Sequence, residues 1–227
     1  MGIECREKLL LSLGDIRDKR ILELGCGNGN LTRALANRGA DILAIDISLA
    51  AVEATRKSCG KFIGKVDVQQ VDANDLSHMT KSFDIVVGEL ILHHLDCKKA
   101  VRGIYQVLES NGRAVFVEPL AHNPILNLWR KLTPNLRTPG EHPLSYSDIQ
   151  KMGDCFNLIR QQEFCLLPIL NPLMFLSRSI KGKKGFFESS IKTRSGKLLA
   201  KLDAPFLRLC KPLRRYSSAI LIEFIKA

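Results

Sequence analysis

Short apolar runs and amphipathic stretches alternate through the first half of the chain. Arg20-Ile21-Leu22-Glu23-Leu24 is an apolar run ending in glycines, the pattern of a buried parallel strand. Leu31 to Arg38 follows with helical spacing, and Gly39 stops it. Asp41 to Asp46 reads as a second strand, and Ser48 caps a helix running to about Cys59. Lys65 to Val71, Phe83 to Val87 and Arg113 to Glu118 supply strands three to five. A helix over 97–109, closed by Asn111-Gly112, separates the last two. Ahead of them all, residues 4–13 predict a helix with Leu9, Leu10 and Leu13 on one face. Strands alternating with helices of about ten residues mean βαβ units and an α/β fold with a parallel sheet.

The second half is less regular. Residues 119–146, rich in Pro, Asn and His, predict irregular chain over the C-terminal edge of the sheet. Ser145 to Cys155 reads as a capped helix, Leu158 to Leu167 as a sixth strand and Ser218 to Lys226 as a seventh. About fifty residues, Pro168 to Tyr216, lie between those strands. A hairpin needs only about 2–5 residues, so this segment is expected to be a helical insertion.

Composition narrows the class. The 227 residues are 45% apolar and 25% charged, ordinary for a globular protein. No stretch reaches about 18 apolar residues, so no membrane span is expected. Glu4, Arg6, Glu7 and Lys8 break up the N-terminus where a signal peptide has an uncharged core. The seven cysteines are odd in number, scattered and never in C-x-x-C pairs. That argues against disulfides and a zinc site and for reduced thiols in the cytoplasm; no metal is expected. The charge is asymmetric. Residues 1–118 carry 16 basic and 16 acidic side chains, whereas 119–227 carry 18 and 7. Within the second part, residues 178–215 hold twelve cations opposed only by Glu188 and Asp203. Such asymmetry is a statement about partners, not fold.

The chemistry concentrates in Glu23-Leu24-Gly25-Cys26-Gly27-Asn28-Gly29, between a strand and a helix. Glycines allow a tight turn and close approach of backbone to ligand. The G-x-G-x-G spacing and the absence of a following Lys-Ser/Thr disfavour dinucleotide and P-loop readings. Asp46 ends strand two, where a carboxylate accepts the two hydroxyls of a ribose. Val71-Asp72-Ala73 ends strand three. Strand four runs into Gly88-Glu89-Leu90-Ile91-Leu92-His93-His94-Leu95.

This ordered set resembles the class I S-adenosylmethionine (SAM)-dependent methyltransferases, in particular the small-molecule branch around the ubiquinone and menaquinone biosynthesis enzymes. The resemblance covers about residues 15–120. It implies a Rossmann-like, seven-stranded, mostly parallel sheet with helices on both faces, plus the helical insertion before the last strand. With the chain length and the strand spacing, the expectation is a single domain over 1–227: a core at about 15–120, a segment at 119–146 where the resemblance implies a substrate wall, and the basic insertion at about 168–216. SAM is the implied cosubstrate and S-adenosylhomocysteine the product. The resemblance puts Glu23, Gly25, Cys26, Gly27 and Gly29 along the methionyl part, Asp46 on the ribose and Ile47 against the adenine. Asp72 and Ala73 take the adenine edge, and Glu89 and Leu90 lie beside the methionyl group. The alternative for Asp72 is a strand-end Asx turn.

The sulfonium is already activated, so the protein must align a nucleophile about 3 Å from the methyl and exclude water. A general base is needed when the nucleophile starts protonated. His94 and His93 are the candidates, since their loop follows strand four and histidine titrates in the right range. Glu118, His122, Trp129, Arg137, Glu141 and His142 are candidates to face the acceptor. The expected function is methyl transfer to an O or C atom of a small hydrophobic or amphipathic metabolite. The alternatives are an RNA methyltransferase and a non-catalytic SAM-binding protein. Basic, leucine-bearing segments such as 178–215 read as surfaces for an anionic membrane. Aromatics for base stacking are few, which makes nucleic acid the weaker partner, and a solvated helical lid is the other reading.

Overall fold

The computed structural model describes residues 2–80, 82–133, 141–170 and 194–227. The strands are β1 (Arg20–Leu24), β2 (Asp41–Asp46), β3 (Val66–Gln70), β4 (Phe83–Glu89), β5 (Leu108–Pro119), β6 (Asn157–Phe164) and β7 (Ala219–Ile225). They form one sheet in the order β3-β2-β1-β4-β5-β7-β6. The first five run parallel, and β7 lies antiparallel between β5 and β6.

Alternation along β1 shows how the sheet is covered. Leu22 and Leu24 face a core shared with Val86, Phe116 and Phe224, capped by Ile104 and Val107 of α4 (Cys97–Val107) and by Ile149 and Met152 of α6 (Tyr146–Gly153). Ile21 faces the opposite core with Ile42, Val87 and Val115. That side is closed by Leu9 and Leu13 of α1 (Gly2–Leu13), Leu35 of α2 (Asn30–Ala36) and Val52 of α3 (Leu49–Cys59). Both faces are buried, as the continuous apolar runs predict.

Two expectations change. Residues 119–146 are not wholly irregular: α5 spans Pro124–Leu132. Asn123 caps it, its side chain accepting from the Leu126 N–H at 3.0 Å, and Pro124 opens the first turn. An N-cap Asn followed by Pro is a helix start signal that the Pro-rich composition concealed. Strand β5 also begins five residues early, at Leu108, with a register shift opposite Phe83 and Ile85. The helix expected over 97–109 accordingly stops at Val107.

Of the insertion, a 3₁₀ turn (Leu167–Leu170), α7 (Arg194–Leu209) and a second 3₁₀ turn (Lys211–Tyr216) are described. All three are helical, as expected. Asp203 of α7 is 2% exposed and accepts from the N–H groups of Cys165, Leu166 and Leu167 at 2.7–2.9 Å. One carboxylate thus ties α7 to the end of β6.

Candidate active site

The order of the sheet reverses between β1 and β4, where ligands of open α/β sheets bind beyond the strand C-termini. Leu24 pairs with Ile45 and with Gly88, and Glu89 pairs with Val117. The register therefore brings Gly25, Asp46, Glu89 and Glu118 to one edge.

Gly25, Gly27 and Gly29 all have positive φ, at 71°, 55° and 74°. Gly25 and Cys26 donate to the Ile45 carbonyl at 2.8 and 3.0 Å, which fixes the turn against β2. Each glycine is needed for its own reason. A Cβ on Gly25 would lie 2.7 Å from the Ile91 side chain, and one on Gly29 would lie 2.3 Å from the Ser58 hydroxyl. A Cβ on Gly27 would meet nothing within 4 Å, so that residue borders open space. Cys26 is buried and its thiol is pushed up to about 11 by burial, so only its backbone meets the turn's surface. Asp46 is half-buried. Its two oxygens accept from Gly27 N–H at 3.0 Å and Ser48 N–H at 2.9 Å, joining the glycine turn to the start of α3. Each carboxylate oxygen keeps a further lone pair. Ile47 beside it is 66% exposed.

The other strand ends divide. Asp72 is exposed and makes the Asx turn, its Oδ1 accepting from the Asn74 N–H at 2.8 Å. Ala73 is packed into the core, leaving only its backbone for a ligand edge. Leu90 holds φ of 60°, a left-handed conformation costly for any residue with a Cβ, and donates its N–H to the Val117 carbonyl.

Two acids lie under the glycine turn. Glu23 is 1% exposed, and its Oε2 has no hydrogen-bond partner among the described residues. Burial pushes its pKa up to about 8 against the pull of Thr32, and Glu89 adds to the rise. Glu89 is also raised by burial, and its Oε1 is likewise without a partner. Its Oε2 accepts from Arg6 Nε of α1 at 2.8 Å. Buried acceptors left this way are costly. Together they ask for a small cation with several donors. Nothing local in the sequence marks Arg6 for this role, since its partner is 83 residues away.

Glu118 does not face an acceptor, contrary to expectation. It is fully buried at the end of β5 and turns into the loop after β4. It accepts from the N–H groups of Ile91 at 2.9 Å, Leu92 at 2.8 Å and His93 at 3.4 Å. It also accepts the Nδ1–H of His93 at 2.7 Å. His93 is 7% exposed and its ring centroid lies 4.0 Å from that of His94. His94 is more open, and burial followed by its neighbour His93 lowers its pKa. His142 donates its N–H to the His93 carbonyl at 2.8 Å, which brings the segment before α6 onto this loop. Ligand atoms of His93, His94 and Glu141 all lie within 4.8 Å of one another.

The remaining acceptor-side candidates are spread out. His122 stacks on Tyr146, with centroids 5.3 Å apart and planes at 11°, and its Nε2 is buried without a hydrogen-bond partner among the described residues. Trp129 is half-buried on α5. Arg137 lies outside the described residues.

Comparison with known proteins fits this geometry. A family model described as a methyltransferase domain matches residues 21–112. The chain is 30% identical over 211 residues to the O-methyltransferase cnsE of Penicillium expansum, covering 89% of this chain and 71% of that protein. It is 32% identical over 114 residues to the ubiquinone biosynthesis O-methyltransferase of Alkalilimnicola ehrlichii. There the match covers 49% of this chain, and the chain spans only 46% of the relative's length. Its fold matches the geranyl diphosphate C-methyltransferase of Streptomyces coelicolor, solved with S-adenosylhomocysteine, with a TM-score of 0.69. That match has 14% identity and covers 98% of this chain and 78% of the other.

Proposed function

Since the chain belongs to the SAM-dependent methyltransferases, we propose that it transfers the methyl group of SAM to a hydroxyl oxygen of a small, hydrophobic or amphipathic acceptor, with His93 as the general base. When bound, SAM supplies a methyl group on a sulfonium that leaves without acid assistance. The residues present fit it. Glu23 and Glu89 offer two buried, unpartnered oxygens to the α-ammonium, and Arg6, already held by Glu89, offers its remaining N–H groups to the carboxylate. Asp46 takes the ribose hydroxyls, Ile47 covers the adenine, and exposed Asp72, with the backbone of buried Ala73, takes the adenine edge.

The observation that carries the oxygen acceptor is the 2.7 Å bond from His93 Nδ1 to buried Glu118. A carboxylate on Nδ1 fixes the tautomer, leaves Nε2 to accept a proton and stabilises the imidazolium that results. A hydroxyl needs that service, whereas a neutral amine does not. The names of both curated relatives, each an O-methyltransferase, support the same reading.

The test is a screen of phenols and catechols with methyl-labelled SAM, followed by variants. His93→Ala lowers turnover about 100-fold or more and leaves calorimetric SAM affinity unchanged. A variant that keeps full turnover removes the base. Asp46→Ala weakens SAM binding more than about tenfold, and unchanged affinity removes the ribose assignment.

The described part of the basic insertion supports a second element of the reading, peripheral contact with an anionic membrane that presents the acceptor. On α7, Leu198, Leu202 and Leu209 are 58%, 48% and 86% exposed, among Lys197, Lys201 and Arg208.

A further inference from the structure

We propose that His93, His94 and Glu141 form a binding site for a divalent transition-metal ion of the Zn²⁺ class. The sequence pointed away from a metal because the cysteines lacked ligand spacing. This set contains no cysteine and joins two segments far apart in the chain. Two imidazoles and one carboxylate are a common three-ligand set for such ions. Their ligand atoms lie within 4.8 Å of one another. A tetrahedral ion with bonds of about 2.0–2.2 Å needs donors about 3.3–3.6 Å apart. The set must therefore close by at most about 1.5 Å, and His94 and Glu141 are not fully buried.

The surroundings are those of a supported ligand. Glu118 holds Nδ1 of His93 at 2.7 Å, so Nε2 is the nitrogen left for a metal. A carboxylate behind a ligating histidine orients the ring and raises its basicity. The loop is fixed by the N–H groups that Glu118 accepts and by the His94 N–H donated to the Ile91 carbonyl at 3.0 Å. The segment that carries Glu141 is tied to the same loop through His142 N–H and the His93 carbonyl at 2.8 Å. Three protein ligands leave a fourth position for water.

The site does not depend on the proposed reaction, but its consequence rests on that reading. The metal takes the lone pair of His93 that would receive the acceptor's proton. Bound metal therefore inhibits, in competition with the acceptor and not with SAM.

The chelator-stripped full chain is titrated with Zn²⁺ by calorimetry and with Co²⁺ by visible absorption, without SAM or acceptor. Saturable binding of one ion per chain and the bands of a low-symmetry Co²⁺ site are expected. His94→Ala and Glu141→Ala each weaken binding at least about tenfold, and Glu118→Gln, acting through His93, about 10–100-fold. Thermal unfolding in chelator verifies that each variant is folded. Absence of saturable binding, or folded His94→Ala and Glu141→Ala that bind as tightly as the parent, overturns the site. Metal that binds but accelerates methyl transfer leaves the site standing and overturns His93 as the base.

Discussion

Glu23 carries a carboxyl group that is 1% exposed, and burial holds its pKa near 8. The ordinary value is 4.5. The folded state therefore favours the neutral acid. The resulting destabilisation is absent below about pH 4.5, grows as pH rises toward 8 and is constant above that. Its full size is on the order of a few kcal/mol. Glu23→Gln, equal in volume and uncharged, removes it. Without SAM, the variant's unfolding midpoint is expected to exceed the parent's by several degrees at pH 8.5 and by much less at pH 5. The same change weakens SAM binding by about tenfold or more, since the ammonium loses a charged partner. Equal midpoint differences at the two pH values would show that the carboxyl is not buried as described. For the parent, SAM affinity should fall as pH drops below about 8, because Glu23 must ionise to meet the ammonium.

Among the elements, the ones that carry a glycine turn or a long apolar run were legible, and those fixed by distant partners were not. β2 runs from Asp41 to Asp46, as its apolar run predicts, and β1 with its glycine turn was equally clear. The motif placed Gly25, Asp46 and Glu89 in one region but not their contacts. Gly25 is glycine because Ile91 packs against it, a contact set by tertiary packing. His93 and His94 read alike in sequence, and only the position of Glu118, 25 residues on, distinguishes them. Glu118 itself reads as the polar end of a strand, and burial inverts that reading. Asp203 is the same case on α7, where it reads as one anion among cations. In the fold it satisfies three backbone N–H groups in a buried setting. Asp203→Ala leaves those donors unpaired and should destabilise the chain by about 2–4 kcal/mol in urea titrations. Reversal of an exposed charge on the same helix, Lys201→Glu, should change stability by less than about 0.5 kcal/mol. If the two cost the same, Asp203 is not the tie between α7 and β6.

Across the whole molecule, the net charge gathers on one part of the chain, and two helices of that part expose apolar side chains. Residues 1–118 are electrically balanced, and the +11 belongs to the remainder. In that remainder, α5 exposes Ile125, Leu128 and Leu132, spaced three and four residues apart, beside Lys131. α7 repeats the pattern with Leu198, Leu202 and Leu209. Among the described residues no helix is long and apolar enough to cross a membrane. Exposed leucines at helical spacing with flanking cations are what the proposed contact with a lipid interface would use. Each cation near an anionic surface contributes about 1 kcal/mol, and a buried leucine contributes about 1.5–3 kcal/mol. Three of each suffice for measurable attachment. The chain should therefore sediment with phosphatidylglycerol vesicles and not with phosphatidylcholine vesicles, and about 0.5 M salt should weaken the attachment. Leu198→Asp with Leu202→Asp should abolish it while leaving SAM affinity intact, since both side chains point away from the core. Vesicle binding that survives this double change would reduce the contact to charge alone. Failure to bind vesicles, with a salt-sensitive gel shift of tRNA, would hand the basic surface to nucleic acid.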